Sequence, residues 1–155
     1  MKCAMARHSN QKLKLLTLQA LLLECSDEEH PLATEQLRSA LEERGIAAER
    51  KSLYDDMETL SRFGLDIHQR RGWGGGWFVG ERLFQLPELK LLVDAVQSCK
   101  FITPDKSRAL IHKLEGLASI HQARQLQRQV YVTGRAKTMN ESVYYTIDQL
   151  HTALS

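Results

Sequence analysis

Residues 70–80, RRGWGGGWFVG, place four of the chain's nine glycines within five positions and hold both tryptophans. The runs on either side are β-prone. LDIHQRR alternates Leu65, Ile67 and Gln69 with Asp66, His68 and Arg70, and GWFVG is short and rich in aromatic and branched residues. Glycines clustered between two such runs read as the loop of a β-hairpin, where positive φ and a loose, adaptable tip are useful. They do not fit the phosphate loops that glycine also builds. Walker A requires GxxxxGK[ST], and no lysine or hydroxyl follows at that spacing. The GxGxxG loop opens a helix, whereas this one enters a strand.

What precedes the hairpin decides the architecture. A helix is expected over Gln11 to Glu24, capped by Ser9 or Asn10, with apolar residues on nearly every face and hence a central place in a small core. SDEEHPLA then reads as a turn in which Pro31 ends helical continuity. Thr34 is the expected cap of a short second helix carrying Leu37, Ala40 and Leu41 on one side, and Gly45 stops it. A tight turn, Ile46 to Glu49, leads to a third helix from Arg50 to Phe63 with Leu53, Met57, Leu60 and Phe63 on one face and Gly64 as terminator. Helix, helix, tight turn and helix is helix-turn-helix order, and a following hairpin makes it a winged helix with the hairpin as the wing.

Beyond Arg82 the pattern is helical. LPELKLLVDAVQSC has Pro87 at its first helical position and a stripe of Leu89, Leu92, Val96 and Cys99. Thr103 and Pro104 repeat the cap-and-proline device ahead of Leu110, Leu114 and Leu117. SIHQARQLQRQV presents Ile120, Ala123 and Leu126. YVTGRAKTM reads as an extended or looped crossing, and Asn140 caps a last helix with Val143, Ile147, Leu150 and Leu154 in a stripe. Such a region either dimerises or serves as a spacer.

Site chemistry points away from catalysis. Asp55 and Asp56 are adjacent and diverge by about 100° on a helix, so they serve local structure or orient basic residues. Cys3, Cys25 and Cys99 lack CxxC spacing, and no histidine pair stands at i, i+4, so neither a metal site nor a cofactor is expected. The N-terminus has no apolar signal core and no run is long enough to span a membrane, which points to a cytoplasmic chain with no membrane partner. Net charge is only +2, so a nucleic-acid surface has to be a local patch. Two pairs of basic residues supply one: Arg50 and Lys51 in the first turn of the third helix, the end that enters a major groove, and Arg70 and Arg71 beside the wing tip. Ser52 and Tyr54 add donors, Thr34 and Gln36 support from the second helix, and Trp73 is open between clasping the DNA backbone and packing. Cations at a helix N-terminus oppose the helix dipole, so their presence calls for a reason.

ERKSLYDDMETLSRFGLDI together with GGWFVGERLFQLPELKLLVDAVQSCKFITPDKSRALIHKLEGLAS resembles the N-terminal part of bacterial WYL-domain transcriptional regulators, over roughly Lys12 to the end. The resemblance implies a winged helix-turn-helix, a helical connector, DNA binding and homodimers. The wing departs from the family pattern: Trp77 and Phe78 stand where a Gly-Tyr pair is common. Ser155 falls about where the WYL sensor domain would start, so effector sensing does not carry over and the effector is unknown. The expectation is therefore a mainly α chain with a small β-hairpin wing: a DNA-binding domain over residues 8–82 and a helical connector and dimerisation region over 83–155. It would be a non-enzymatic transcriptional regulator on double-stranded DNA, with helix 50–63 in the major groove and wing 66–80 on the flanking backbone. The rival is a winged-helix protein-interaction module, because the residues through Arg82 carry 12 Lys and Arg against 13 Asp and Glu.

Overall fold

The computed structural model describes residues 6–129 and 137–154. Within them the chain is mainly α with one hairpin: α1 (Ala6–Cys25), α2 (Thr34–Glu42), α3 (Arg50–Phe63), β1 (Ile67–Arg70), β2 (Gly76–Val79), α4 (Leu86–Ser98), α5 (Pro104–Glu115), α6 (Ile120–Gln129) and α7 (Ser142–Leu154). Three helices and a hairpin wing make a winged helix-turn-helix, and a helical region follows. The chain divides into two compact units. One runs to Leu83 and takes in Ser119–His121; the other holds Phe84–Ala118 and the residues from Gln122 onward.

The first unit closes around Leu18, Leu21 and Leu22 of α1, Leu37 and Leu41 of α2, Ile46 of the turn that follows, Leu53, Met57 and Leu60 of α3, and Val79 of β2. Two glycines set the geometry of α2 and α3. Gly45 has φ 72° and Gly64 φ 115°. Beyond Gly45 the Ile46 amide reaches back to Leu41 O at 2.9 Å, and beyond Gly64 the Leu65 amide reaches Leu60 O at 3.1 Å. Each is the Schellman closure that returns the next apolar residue to the core. It also explains a difference from the periodicity: Phe63 is 75% exposed, because the turn at Gly64 brings Leu65 to the core in its place.

Two expected caps also differ. α1 is already helical at Ala6, so Ser9 and Asn10 lie inside it; the good helix formers Ala6 and Arg7 outweigh the cap preference. α2 is capped by Ala33 instead of Thr34, and Gln36 Oε1 accepts the Ala33 amide at 2.8 Å. Thr34 becomes the first helical residue and spends its hydroxyl elsewhere.

β1 and β2 pair antiparallel, with Ile67 opposite Val79, His68 opposite Phe78, Gln69 opposite Trp77 and Arg70 opposite Gly76. Leu32, from the turn before α2, forms a further bridge to Trp77 through two 2.8 Å backbone bonds. β2 is thus flanked on both sides. The glycines of the loop are less idle than a loose tip would require. Gly72 and Gly74 adopt positive φ, and the Gly75 amide closes on Gly72 O at 3.0 Å. Gly76 is buried, and a Cβ there would overlap the Leu32 carbonyl.

The second unit is smaller. Leu89 and Val93 of α4, Ile111 of α5, Ala118 of the turn after α5 and Leu126 of α6 form its buried core. The α4 stripe is rotated from the expected one: Leu92 and Val96 are only half-buried, while Val93 and Gln97 are buried. On α5 Ile111 and Ser107 take the inner face, and Leu117 is exposed. Thr103 Oγ1 accepts the Lys106 amide at 3.3 Å, and Pro104 opens α5 as its sequence demands. Lys137 Nζ donates to Val96 O at 3.0 Å, Cys99 O at 3.2 Å and Ser107 Oγ at 2.7 Å, tying the carbonyl end of α4 to α5. Asn140 Oδ1 accepts the Ser142 amide at 3.0 Å and caps α7, yet no residue of α7 is buried. Most of the expected crossing YVTGRAKTM lies outside the described residues.

Candidate nucleic-acid interface

Tyr54 organises the surface formed by α3 and the wing. It stands one turn into α3, and its hydroxyl is bonded to Arg50, which holds its pKa below the ordinary tyrosine value, with Thr34 and Gln69 contributing in the same direction. Its ring meets Trp77 edge-on, with centroids 5.3 Å apart and planes at 74°. Trp77 Nε1 in turn donates to Thr34 Oγ1 at 3.3 Å. Five side chains therefore lock the start of α2, the first turn of α3 and both strands of the wing.

That lock sorts the expected contact residues. Arg50 is exposed, held against Tyr54, and Lys51 beside it is exposed with no polar partner among the described residues. The first turn of α3 contains no acid, and the N-cap Glu49 makes no side-chain capping bond. Arg71 is likewise exposed and unpaired among the described residues, and Trp73 is 105% exposed. Packing within the unit is thereby removed as the role of Trp73.

Other residues turn inward or are used locally. Ser52 does not face outward; its hydroxyl accepts a hydrogen bond from Lys14 Nζ of α1. Lys14 is 4% exposed and pairs with Asp56 Oδ2 at 2.7 Å. The Ser52–Asp56 spacing of i, i+4 puts both on the side of α3 that meets α1, so they brace the helix. Arg70 donates to Glu28 O and lies over the Phe78 ring at 5.7 Å, fastening the wing to the turn before α2. Thr34 and Gln36 serve Trp77 and the α2 cap.

Sequence reasoning missed Trp77, Gln69 and Lys14 as positioning residues. Lys14 did carry a signal, as a charge set between Leu13 and Leu15 at the head of a leucine-rich run, but its partners lie 38 and 42 positions away. It also missed a polar cluster behind the wing. Asp27 accepts Ser119 Oγ at 2.5 Å and pairs with His30 Nδ1 at 2.7 Å, and His30 stacks on His121 with centroids 3.7 Å apart and planes at 6°. Burial pushes the Asp27 carboxyl up, but the bonds from Ser119 and His30 outweigh it and leave the pKa below the ordinary value. Arg82 donates to Leu23 O at 2.8 Å and Ser26 O at 2.6 Å and stays charged near Asp27, although burial lowers its pKa.

Among the described residues no group of three or more His, Cys, Asp or Glu is placed to hold a metal, and no helix is long and apolar enough to cross a membrane. Cys25 and Cys99 are free thiols, with Cys25 pushed up by burial; Cys3 lies outside the described residues. No family model, curated protein or solved structure matches the chain.

Proposed function

We propose that the protein is a cytoplasmic transcriptional regulator, similar to the DNA-binding part of WYL-type regulators, that binds double-stranded DNA as a homodimer and catalyses no reaction. The first turn of α3 enters the major groove and the wing lies along the flanking backbone. The observation that carries the reading is the placement of unpaired cations on a rigid mount. Lys51 and Arg71 have no polar partner among the described residues, and Arg50 is aimed by Tyr54 from a scaffold locked through Trp77. Cations against the positive end of a helix dipole weaken the free protein slightly, and a phosphate or guanine edge repays that cost. Arg50 and Lys51 are the base-reading candidates. Arg71 and Trp73 reach the backbone, and Ser52 and Arg70 act from within the fold.

Selection of duplexes from a random pool, followed by anisotropy titration at two salt concentrations, tests this. Binding is expected to fall steeply with salt, and Lys51→Ala and Arg71→Ala are each expected to flatten the log–log slope by about one. Failure to retain any duplex at low salt overturns the reading. The balance of 12 basic and 13 acidic residues through Arg82 favours the second reading, a protein-interaction module, in that event.

A further inference from the structure

The wing tip carries one side chain that the fold does not use. Beyond the last strand pair, Arg70 opposite Gly76, residues 71–75 turn the chain, and the 3.0 Å bond from the Gly75 amide to Gly72 O closes the turn. Each glycine of that turn answers to the backbone. Gly72 and Gly74 take φ of 97° and 71°, values that residues with a Cβ rarely adopt. A Cβ on Gly75 would fall on the Arg70 carbonyl oxygen. Trp73 answers to no such demand. It holds the second position of the turn, which accepts most residues, and its indole is as exposed as in a free peptide.

The surroundings of this ring are cationic. No acidic residue occurs from Arg70 to Gly80, and Arg71, two positions before the indole, is exposed and unpaired among the described residues. The root of the wing is fixed to α3, because Gln69 and Trp77 both meet Tyr54, whose hydroxyl also holds Arg50. Trp73 is four residues beyond Gln69, so it stands at most about 14 Å from the contact that aims Arg50. A partner that suits both the cations and the ring is a polyanion with flat apolar faces inside it, which is the make-up of a nucleic acid. Both faces of the indole are bare, since its neighbours in the turn are glycines, and a slot between two base pairs would cover both. The minor groove of B-DNA is only about 6 Å wide. With glycine at 72, 74, 75 and 76, little more than bare backbone and one ring has to enter it.

We propose that Trp73 is an intercalating wedge: its ring passes the backbone, enters from the minor groove between two stacked base pairs beside those read by α3, and kinks the duplex there. This rests on the DNA-binding reading and adds to it a base step that the protein opens. Duplexes recovered by selection serve as the probe. On them Trp73→Ala is expected to weaken binding about tenfold or more with an unchanged salt slope, whereas loss of a phosphate contact such as that of Arg71 flattens the slope. Trp73→Phe, which keeps an aromatic ring, is expected to recover most of the affinity. Permanganate, which oxidises unstacked thymines, is expected to mark one step beside the α3 site with the wild type and with Trp73→Phe, and none with Trp73→Ala. The steps most easily kinked, TA and CA/TG, each contain a thymine to report. The thermal melt of the free protein is expected to be the same for all three. A bound duplex without a reactive thymine, or one held as tightly by Trp73→Ala as by the wild type, overturns the wedge and leaves the DNA-binding reading standing. Failure to retain any duplex overturns both.

Discussion

The two units of the chain are held together in different ways. The first encloses ten buried apolar residues and adds polar and aromatic clusters: Lys14 with Ser52 and Asp56, Asp27 with His30 and Ser119, and Tyr54 with Trp77 and Thr34. Among its described residues the second has six buried apolar side chains, Lys137 tying α4 to α5, the more exposed contacts of Gln127 with Glu115 and of Lys106 with the Tyr144 ring, and a last helix with nothing buried. Apolar burial stabilises a fold but tolerates several arrangements, whereas satisfied polar clusters admit few. The difference therefore lies in precision as much as in stability. A surface that reads another molecule needs its side chains fixed to within about half an ångström, and the first unit has the means to fix them.

Core truncation gives the largest expected effect. Leu22→Ala and Leu126→Ala each remove a side chain with no exposed surface and should each cost about 3 kcal/mol. In calorimetry or denaturant titration, Leu22→Ala is expected to lower the transition of the first unit and Leu126→Ala that of the second. If both variants shift one shared transition equally, the energetic distinction between the units is lost.

The polar clusters come next. Asp27→Ala removes the acceptor shared by Ser119 Oγ, His30 Nδ1 and the Glu29 and His30 amides and is expected to cost about 2 kcal/mol, seen as a lower denaturant midpoint for the first unit only. A milder probe of the same group is acid. The Asp27 pKa is depressed in the folded protein, so its stabilising contribution is complete above the ordinary carboxylate value, about pH 4. The contribution is lost as pH falls through the lower folded value. The midpoint of the first unit should therefore decline below about pH 4, and Asp27→Ala should flatten that decline.

Smallest of all is the effect expected on α7. Leu150 is 56% exposed, and Leu150→Ala should change stability by less than about 0.5 kcal/mol. A larger loss in denaturant titration would mean that α7 is covered in solution and that the second unit is less open than the contrast with the first implies.

Local signals explain what was legible in the sequence. Glycine at a helix end, proline at a helix start and a glycine cluster between β-prone runs act within a few residues, so α3, α5 and the hairpin could be bounded in advance. The roles of Gly45, Gly64 and Thr103 followed from the same local rules. Side-chain partnership across the fold was not legible. Ser52 looked like a surface donor until α1 brought Lys14 to it, and Arg70 looked free until the turn at Glu28 met the wing. His30 and His121 are 91 positions apart, and nothing in either neighbourhood announces their stacking. The α4 stripe was misplaced for a related reason: with leucine or valine at most positions from Leu89 to Val96, periodicity alone cannot say which row meets α5.

The return of Ser119–His121 to the first unit means that the polypeptide is interleaved. Phe84–Ala118 leaves and comes back between two anchored stretches, much as an inserted loop would. A protein cut after Leu83 would then be missing a piece of its own first unit: Asp27 would face no Ser119, and His30 no ring. Recombinant dissection should expect a fragment ending near residue 83 to melt earlier than one carried through His121, and boundaries drawn from domain order alone would miss the reason.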